Sequence, residues 1–336
     1  MVPTKKPSSE PPVLAEGVRA GHRKALSRAI TLVESTREDD RARAIEILES
    51  LMEATGNSTR VGVSGAPGVG KSTFIDVLGC YLIDRGHRVG VLAVDPSSAV
   101  SGGSILGDKT RMEQLVRRPE AFVRPSPAGR TLGGVARRTR EAMLLCEAAG
   151  FDIILVETVG VGQSETMVAD MTDVFLLLLA PGGGDELQGI KRGIIELADV
   201  VAVNKTDGEL EIAARRTAAD YGVALNVLRS RTRAWKVPVQ VCSALTGKGV
   251  PEVWEHVERY VAALRSNGEI ARRRTAQARV WLWSETTQEL ESALRSDPRV
   301  HAELPGLERA VGEGRLPPTS AARRLLDIFF DARRGS

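Results

Sequence analysis

The sequence predicts an α/β fold, a doubly wound and mostly parallel sheet with helical extensions before and after it. Six short apolar runs occur between residues 59 and 264, separated by amphipathic segments of helical periodicity. On both sides of this region apolar residues recur at helical spacing without a strand pattern. We therefore expect a disordered lead-in and N-terminal helices over residues 1–57, the sheet domain over 58–265, and a C-terminal helical arm over 266–336.

The six strand candidates read, in order, RVGVSG, RVGVLAVD, FDIILVE, VFLLLLA, VVAVNK and PVQVCSA. Most are continuously apolar rather than alternating, which is typical of strands buried on both faces of a parallel sheet. None approaches the roughly 20 apolar residues needed to span a bilayer. Helical patterns follow most of them, as a doubly wound sheet requires.

The composition argues against a nucleic-acid-binding protein and against a secreted, disulfide-bonded one. The 336 residues carry 46 basic and 43 acidic side chains, a balance that does not indicate nucleic-acid binding. The three cysteines are far apart and form no CxxC pair, which is typical of a reduced intracellular protein. The N-terminus has no apolar segment of the signal-peptide kind. These observations predict a cytoplasmic protein with no membrane segment.

The first strand runs into GAPGVGKST, which matches the phosphate-binding loop GxxxxGK[ST] in its required strand–loop–helix context. Backbone N–H groups of such a loop wrap phosphates, and the helix N-terminus adds positive potential. Lys71 would reach the β- and γ-phosphate oxygens, and the Ser72 hydroxyl would ligate Mg²⁺. A glycine-rich turn is the alternative, which the context disfavours. The predicted nucleotide-binding residues are Gly65, Ala66, Pro67, Gly68, Val69, Gly70, Lys71, Ser72 and Thr73.

The later strands predict guanine as the base. Asn204, Lys205 and Asp207 form N-K-x-D after an apolar strand, and the Asp207 carboxylate can accept from both N1–H and the N2 amine of guanine. Adenine offers no such donor pair on that edge. Ser243, Ala244 and Leu245 follow the next strand, where GTPases place a backbone donor for guanine O6. A polar strand end followed by a turn is the alternative for each motif, and their order after the phosphate loop favours base recognition.

Three acidic residues are candidates for a metal site. Asp95 ends the second strand at the carboxyl edge of the sheet, and Asp108 lies in a glycine-rich segment. Both could bind Mg²⁺ directly or through water, although an Asp-Pro turn and a helix cap are the respective alternatives. Glu157 begins an E-x-x-G element, at a position where nucleotide hydrolases usually have aspartate. It could still hold Mg²⁺, and the Gly160 N–H could meet the γ-phosphate.

Three other segments do not by themselves predict a single role. Arg137 and Arg138, in a helix after a Gly/Ser/Pro loop, could meet phosphate or a partner, and we expect them to be solvated. The glycine-rich loop over residues 182–191 suggests a regulated element near the nucleotide. Trp281 and Trp283, two residues apart, cannot share one helix face. One could face the core and the other a partner, and burial on two sides suits the pattern equally.

The motifs together resemble the MeaB/MMAA/ArgK family of GTPases. The resemblance rests on GAPGVGKST, VDPSS, SGGSILGDKTRM, RPSPAGRTLGGVA, VETVGVGQSE, PGGGDELQGIK and VNKTD, in unbroken order over about two-thirds of the chain. It implies a metallochaperone-class GTPase that binds adenosylcobalamin-dependent methylmalonyl-CoA mutase, or a related cobalamin-dependent mutase, in trans. Such a protein gates cofactor loading and protects the mutase from inactivation, and its client accelerates GTP hydrolysis.

The resemblance also implies roles for particular residues. Lys71 and Ser72 serve phosphate and Mg²⁺, while Asp95, Asp108 and Glu157 surround the metal, and we take Lys71 with these three acids as the catalytic set. Asp108 falls in a first switch, residues 157–165 form a second, and the glycine loop over 182–191 is a third that answers to the client. The guanine base is held by Asn204, Lys205, Asp207 and Ser243 to Leu245. A homodimer formed through the C-terminal arm is implied as well.

Two other functions compete with this one. A nucleotide-dependent kinase or ATPase of a basic amino-acid transport system remains the alternative, because some relatives carry that name and a phosphate loop alone does not exclude it. The guanine motifs argue against ATP. A nickel metallochaperone would need grouped Cys or His ligands, whereas His22, His87, His256 and His301 are scattered.

Overall fold

The computed structural model describes most of the chain. The described residues are 10–94, 112–125, 132–158, 164–182, 192–227, 232 and 235–331. Contacts divide the chain into two compact units, Met1–Gln277 and Ala278–Ser336. The boundary falls in sequence within one long helix.

A seven-stranded parallel sheet organises the described part of the first unit. Its strands are β1 (Thr59–Gly65), β2 (Val89–Val94), β3 (Ala121–Arg124), β4 (Ile153–Thr158), β5 (Val174–Leu179), β6 (Val200–Val203) and β7 (Val239–Val241). Their order across the sheet is β3-β2-β4-β1-β5-β6-β7, and each neighbouring pair is parallel. The predicted fold class is confirmed, with one strand, β3, beyond the six that the sequence predicted.

Helices cover both faces of the sheet. The helices of the first unit are α1 (Pro11–Arg19), α2 (Arg23–Glu34), α3 (Glu38–Leu51), α4 (Lys71–Asp84), α5 (Glu113–Val116), α6 (Leu132–Ala148), α7 (Ser164–Ala169), α8 (Arg192–Ile195), α9 (Glu211–Val227) and α10 (Val250–Ser266), with short 3-10 turns at Met52–Ala54 and Gly208–Leu210. Both α4 and α10 pack on one face, where Phe74 and Trp254 join the buried core. On the other face lie α6 and α7.

The N-terminal helices pack against the sheet domain. Both α2 and α3 contact α6, and buried Leu26, Ile30 and Ile47 fill the space between these helices and their neighbours. The guanidinium of Arg124 at the end of β3 pairs with Glu34 at the end of α2. The helix α1 begins at Pro11, and residues 1–9, in which the disordered lead-in is predicted to begin, lie outside the described ones.

A buried polar network closes the amino-terminal edge of the sheet. The Arg60 guanidinium donates Nε to Glu147 Oε1 at 2.8 Å and Nη2 to Oε2 at 2.9 Å. The same carboxylate accepts from the Ser58 hydroxyl and the Gly56 N–H. Burial raises the pKa of Glu147, but the bonds and charge of Arg60, with help from these donors, lower it more, so the net shift is downward. The carboxylate is therefore held ionised inside the domain.

The long helix α11 (Glu269–Ser296) begins on this network. Arg274 donates Nε and Nη2 to the two oxygens of Asp173 at 2.8 and 2.6 Å, and Nη2 also reaches the Ser58 carbonyl. Asp173, 2% exposed, also accepts the Arg60 N–H. The neighbouring Arg273 donates to the Tyr260 hydroxyl at 2.9 Å. The first turns of α11 are therefore fixed to the strand ends farthest from the phosphate loop.

The second unit is helical in its described part. It holds the remainder of α11, then α12 (Pro298–Gly312) and α13 (Pro318–Asp331), which pack on each other. Asp297 caps α12 by accepting from the N–H groups of Arg299 and Val300. Trp281 is half-buried and Trp283 is 71% exposed, so the two indoles do lie on different faces of α11.

Candidate functional site

The phosphate loop lies between β1 and α4, as the motif predicts. The backbone turns at Gly70, whose φ of +94° is left-handed and favours glycine. A Cβ there would lie 2.7 Å from Asn204 Nδ2, so no side chain fits without displacing Asn204. The Val69 N–H donates to the Ala66 carbonyl at 3.3 Å and closes the loop. The loop therefore has the tight curvature that lets consecutive N–H groups face a phosphate.

The Lys71 ammonium lies back on the loop itself. Its Nζ donates to the carbonyls of Gly65 at 2.7 Å and Ala66 at 3.2 Å. Burial lowers the pKa of Lys71, and the nearby carboxylates of Glu157 and Glu165 partly offset that shift. A buried cation at the start of a helix, beside the phosphate loop, can transfer from these carbonyls to an incoming phosphate oxygen.

Glu157 and Ser72 meet beside the loop. Parallel pairing places Glu157 of β4 opposite Val63 of β1, and the Ser72 hydroxyl donates to Glu157 Oε1 at 2.9 Å. Glu157 is 3% exposed. Hydroxyl and carboxylate oxygens are the hard ligands that Mg²⁺ prefers. The side chains of Ser72 and Glu157, which lie this close together, therefore fit that ion.

Asn204 joins the phosphate loop to the loop after β7. Its Nδ2 donates to the Val69 carbonyl at 2.9 Å, and its Oδ1 accepts the Ala244 N–H at 2.9 Å. Asn204 is 1% exposed. The next residue, Lys205, has a φ of +62°, a left-handed conformation that non-glycine residues seldom adopt outside turns and functional sites. This turn lets Asn204 point inward while Lys205 is exposed.

Asp207 is oriented by Ser243. The Ser243 hydroxyl donates to Asp207 Oδ1 at 2.5 Å and accepts the Thr246 N–H at 3.2 Å. Ser243 and Ala244 are buried, whereas Leu245 is 78% exposed. The structure thus brings the two predicted guanine motifs together, and a carboxylate held this way can accept the paired donors of guanine.

Several predicted residues lie outside the described ones. These are Asp95, Asp108, Gly160 and most of the glycine loop, residues 183–191. The expectation that Arg138 is solvated is wrong, because the residue is buried and only 8% exposed. Burial, followed by the charge of Arg137, lowers the pKa of Arg138.

Two further polar residues at the site were given no individual role by the sequence, although one of them, Thr158, lies in the predicted second switch. Ser64 precedes the first glycine of the phosphate loop, and Thr158 ends β4; both are fully buried, and the Thr158 hydroxyl donates to Ser64 Oγ at 3.0 Å. The available signal was a hydroxyl near the carboxyl end of each of two mainly apolar strands. That signal is weak in a sequence, because pairing across strands cannot be read from either strand alone.

A phosphate loop after the central strand of a parallel sheet, with N-K-x-D and its serine partner at the ends of β6 and β7, defines a P-loop GTPase. The family model for the methylmalonyl Co-A mutase-associated GTPase MeaB matches residues 26–299. The chain therefore belongs to the MeaB family of GTPases.

Relatives and a solved structure agree with this assignment. A putative GTPase of Caulobacter vibrioides is 56% identical over 92% of this chain and 95% of its own length. The mitochondrial methylmalonic aciduria type A homolog of Mus musculus is 48% identical over 94% of this chain and 79% of its own. A crystal structure of a LAO/AO transport system kinase superposes with a TM-score of 0.74 at 36% identity, covering 96% of this chain and 99% of that one.

Two features are absent from the described residues. No helix among them is long and apolar enough to cross a membrane. Within the same ranges there is no cluster of three or more His, Cys, Asp or Glu side chains suited to a metal ion. Asp95 and Asp108, two of the four predicted metal residues, fall outside those ranges.

Proposed function

We propose that this GTPase is a chaperone of methylmalonyl-CoA mutase or a related cobalamin-dependent mutase. It binds the mutase in trans, gates the loading of adenosylcobalamin and protects the mutase from inactivation. The match of residues 26–299 to the mutase-associated family carries the proposal. The mouse relative, whose name refers to methylmalonic aciduria, supports it. The protein acts in the cytoplasm, without nucleic acid or membrane as partner.

Within this function the site residues divide by task. Lys71 and the loop from Gly65 to Thr73 bind the phosphates, and the guanine motifs hold the base. Ser72 and Glu157, with Asp95 and Asp108, hold Mg²⁺, which supplies charge neutralisation at the phosphates when bound. The Gly160 N–H would donate to the γ-phosphate.

Hydrolysis by the chain alone is slow and the client accelerates it. In the described part of the site Glu157 Oε1 accepts from the Ser72 hydroxyl, and Lys71 Nζ donates to the loop carbonyls. Completion of the site by a partner is the usual way in which such a switch is regulated.

The experiment that tests the mutase role combines binding with turnover. The chain is mixed with candidate cobalamin mutases in the presence of GTP, GDP or a non-hydrolysable analogue, and both co-purification and GTP hydrolysis are measured. We expect one mutase to bind in a nucleotide-dependent manner and to raise turnover by about tenfold or more. A Lys71→Ala variant, impaired in phosphate binding, is the control. If no mutase binds and none changes turnover, the chaperone function is wrong.

A kinase or ATPase of a basic amino-acid transport system is the second candidate. The structural relative described as a LAO/AO transport system kinase favours it. The Asp207–Ser243 pair argues for guanine, because adenine would leave the carboxylate without its donors. Turnover of GTP and ATP by the purified chain separates the two, and a preference for ATP would favour the kinase.

We also propose that the C-terminal arm, residues 266–336, mediates a homodimer. Val280, Trp283 and Leu290 are all at least half exposed and recur at spacings of three and seven on α11, so they share one face of the helix. An exposed apolar stripe of this kind is typical of a helix that packs against another chain.

A further inference from the structure

Two consecutive residues of β4 hold the two ends of the phosphate loop. Glu157 accepts from Ser72, the second residue of α4, at 2.9 Å. Thr158 donates to Ser64, the residue before the loop's first glycine, at 3.0 Å. The loop is therefore held at both ends by one strand end, through two side-chain bonds.

The two bonds lie on opposite faces of the sheet, because successive side chains of a strand alternate. Glu157 points to the face of α4. Thr158 and Ser64 lie on the other face, since Gly62 of β1 abuts Val168 of α7 and Ile154 of β4 lies beside Gly90 and the helix α6. Both hydroxyl-bearing residues are 0% exposed.

The bonds also differ in chemistry. The first joins a hydroxyl to a carboxylate, the two oxygen donors to which we assign Mg²⁺, so a bound cation competes directly for both oxygens. The second joins two neutral hydroxyls of fully buried residues. If a cation took the place of the first bond, the bond from Thr158 to Ser64 would still link β4 to the residue before the loop.

We propose that Ser64 and Thr158 are positioning residues for GTP hydrolysis. Their bond fixes the backbone that carries Glu157, so that the carboxylate keeps its place relative to the phosphate loop after Ser72 has released it. The inference rests on the proposed metal roles of Ser72 and Glu157. It predicts a defect in the hydrolysis step rather than in nucleotide binding, because the loop itself and the guanine motifs are untouched.

The test uses the full chain with GTP and Mg²⁺ and no partner. Thr158→Val keeps the shape of the side chain and removes its donor. We expect single-turnover hydrolysis to slow by about tenfold while GTP affinity changes less than about twofold. Thr158→Ser should restore at least half of the wild-type rate. The control is Thr139→Val, which removes another buried hydroxyl, one that donates to the Val135 carbonyl within α6, and should leave both quantities unchanged.

A second variant makes the test independent of any one substitution. Ser64→Ala should reproduce the loss seen in Thr158→Val, and the double variant should be no slower than either, because one bond is lost in all three. A wild-type rate in Thr158→Val would overturn the proposal. So would an equal loss of affinity and rate, or a Thr158→Ser variant that is not rescued, since either indicates a general structural defect.

The outcomes also separate this inference from the proposed function. Because no mutase is present, a chain that serves some other client still gives an informative result. Wild-type hydrolysis that does not depend on Mg²⁺ would refute the metal assignment and this inference together. Mg²⁺-dependent hydrolysis that is unaffected in Thr158→Val would refute the positioning role alone.

Discussion

At the scale of single residues, Glu157 differs from the aspartate usual at its position, and its carboxylate still contacts the residue after Lys71. Glutamate is one methylene longer than the aspartate usual at this position. The structure accommodates the extra length at the end of β4, with Oε1 2.9 Å from the Ser72 hydroxyl. The longer carboxylate therefore reaches the first turn of α4 directly, while its backbone stays in register with β1.

We predict that Glu157→Gln weakens hydrolysis more than binding. The amide keeps the shape and can still accept from Ser72, but it lacks the negative charge that holds Mg²⁺. Single-turnover GTP hydrolysis should fall by about a hundredfold and GTP affinity by less than about tenfold. The matched control is Glu113→Gln, at an exposed position of α5, which should behave as wild type. An unchanged turnover rate in Glu157→Gln would refute its role.

The parts of the site that could be predicted are those formed by residues close together in the sequence. The phosphate loop and N-K-x-D could be predicted because each is a short run whose residue spacing is set by backbone geometry. The solvation expected for Arg138 failed, because burial there depends on helices that are distant in sequence. The same limit hid the bond between Ser64 and Thr158, which are 94 residues apart.

At the scale of elements, β3 is the strand that the sequence did not indicate. It has four residues, ends in Arg124 and is followed by a proline at position 125, so it lacks the long apolar run that marked the other strands. It forms because β2 offers a parallel edge, with Val89 opposite Ala121. The six stronger strands could be predicted because burial on both faces requires apolar residues throughout.

The attachment of α11 to the sheet is the element-scale feature with the clearest energetic consequence. We predict that Arg274→Ala costs about 3 kcal/mol of unfolding free energy, because it leaves the buried Asp173 carboxylate without its charged partner. Denaturant unfolding of the full chain measures this cost. Arg272→Ala, two residues away, removes an exposed arginine paired within the helix and should cost less than about 0.5 kcal/mol. Equal costs for the two variants would contradict the anchoring role.

At the scale of the whole molecule, the sequence domains and the compact units do not coincide in number. The sequence suggested three segments, with a change at residue 266, whereas contacts group residues up to Gln277 together. The reason lies in Arg273 and Arg274, whose bonds tie the start of α11 to Tyr260 of α10 and to Asp173 before β5. A composition change marks where strands end, and it cannot show which helix turns are still bonded to them.

The dimer proposed for the C-terminal arm can be tested by its mass in solution. Trp283→Glu places a charge in the middle of the exposed apolar stripe of α11, and burying that charge in an interface is costly. We expect the dimer dissociation constant to rise at least about thirtyfold, measured by sedimentation or light scattering over a concentration series. The control is Ser292→Glu, at an exposed position on the other side of the same helix. A wild-type protein that is monomeric throughout would show that the arm does not dimerise.

The two bonds made by Asn204 have a thermodynamic consequence for ligand recognition. The Asn204 side chain is hydrogen-bonded both to Val69 of the phosphate loop and to Ala244 of the loop after β7. The phosphate-binding and base-binding halves of the nucleotide site are therefore coupled. A bound guanine that orders the loop after β7 should therefore also favour phosphate binding. By thermodynamic linkage, a bound phosphate should favour guanine binding by the same factor. Guanosine and pyrophosphate, offered as separate fragments, should therefore bind cooperatively rather than independently. Discrimination between bases would then extend to the tightness with which the phosphates are held.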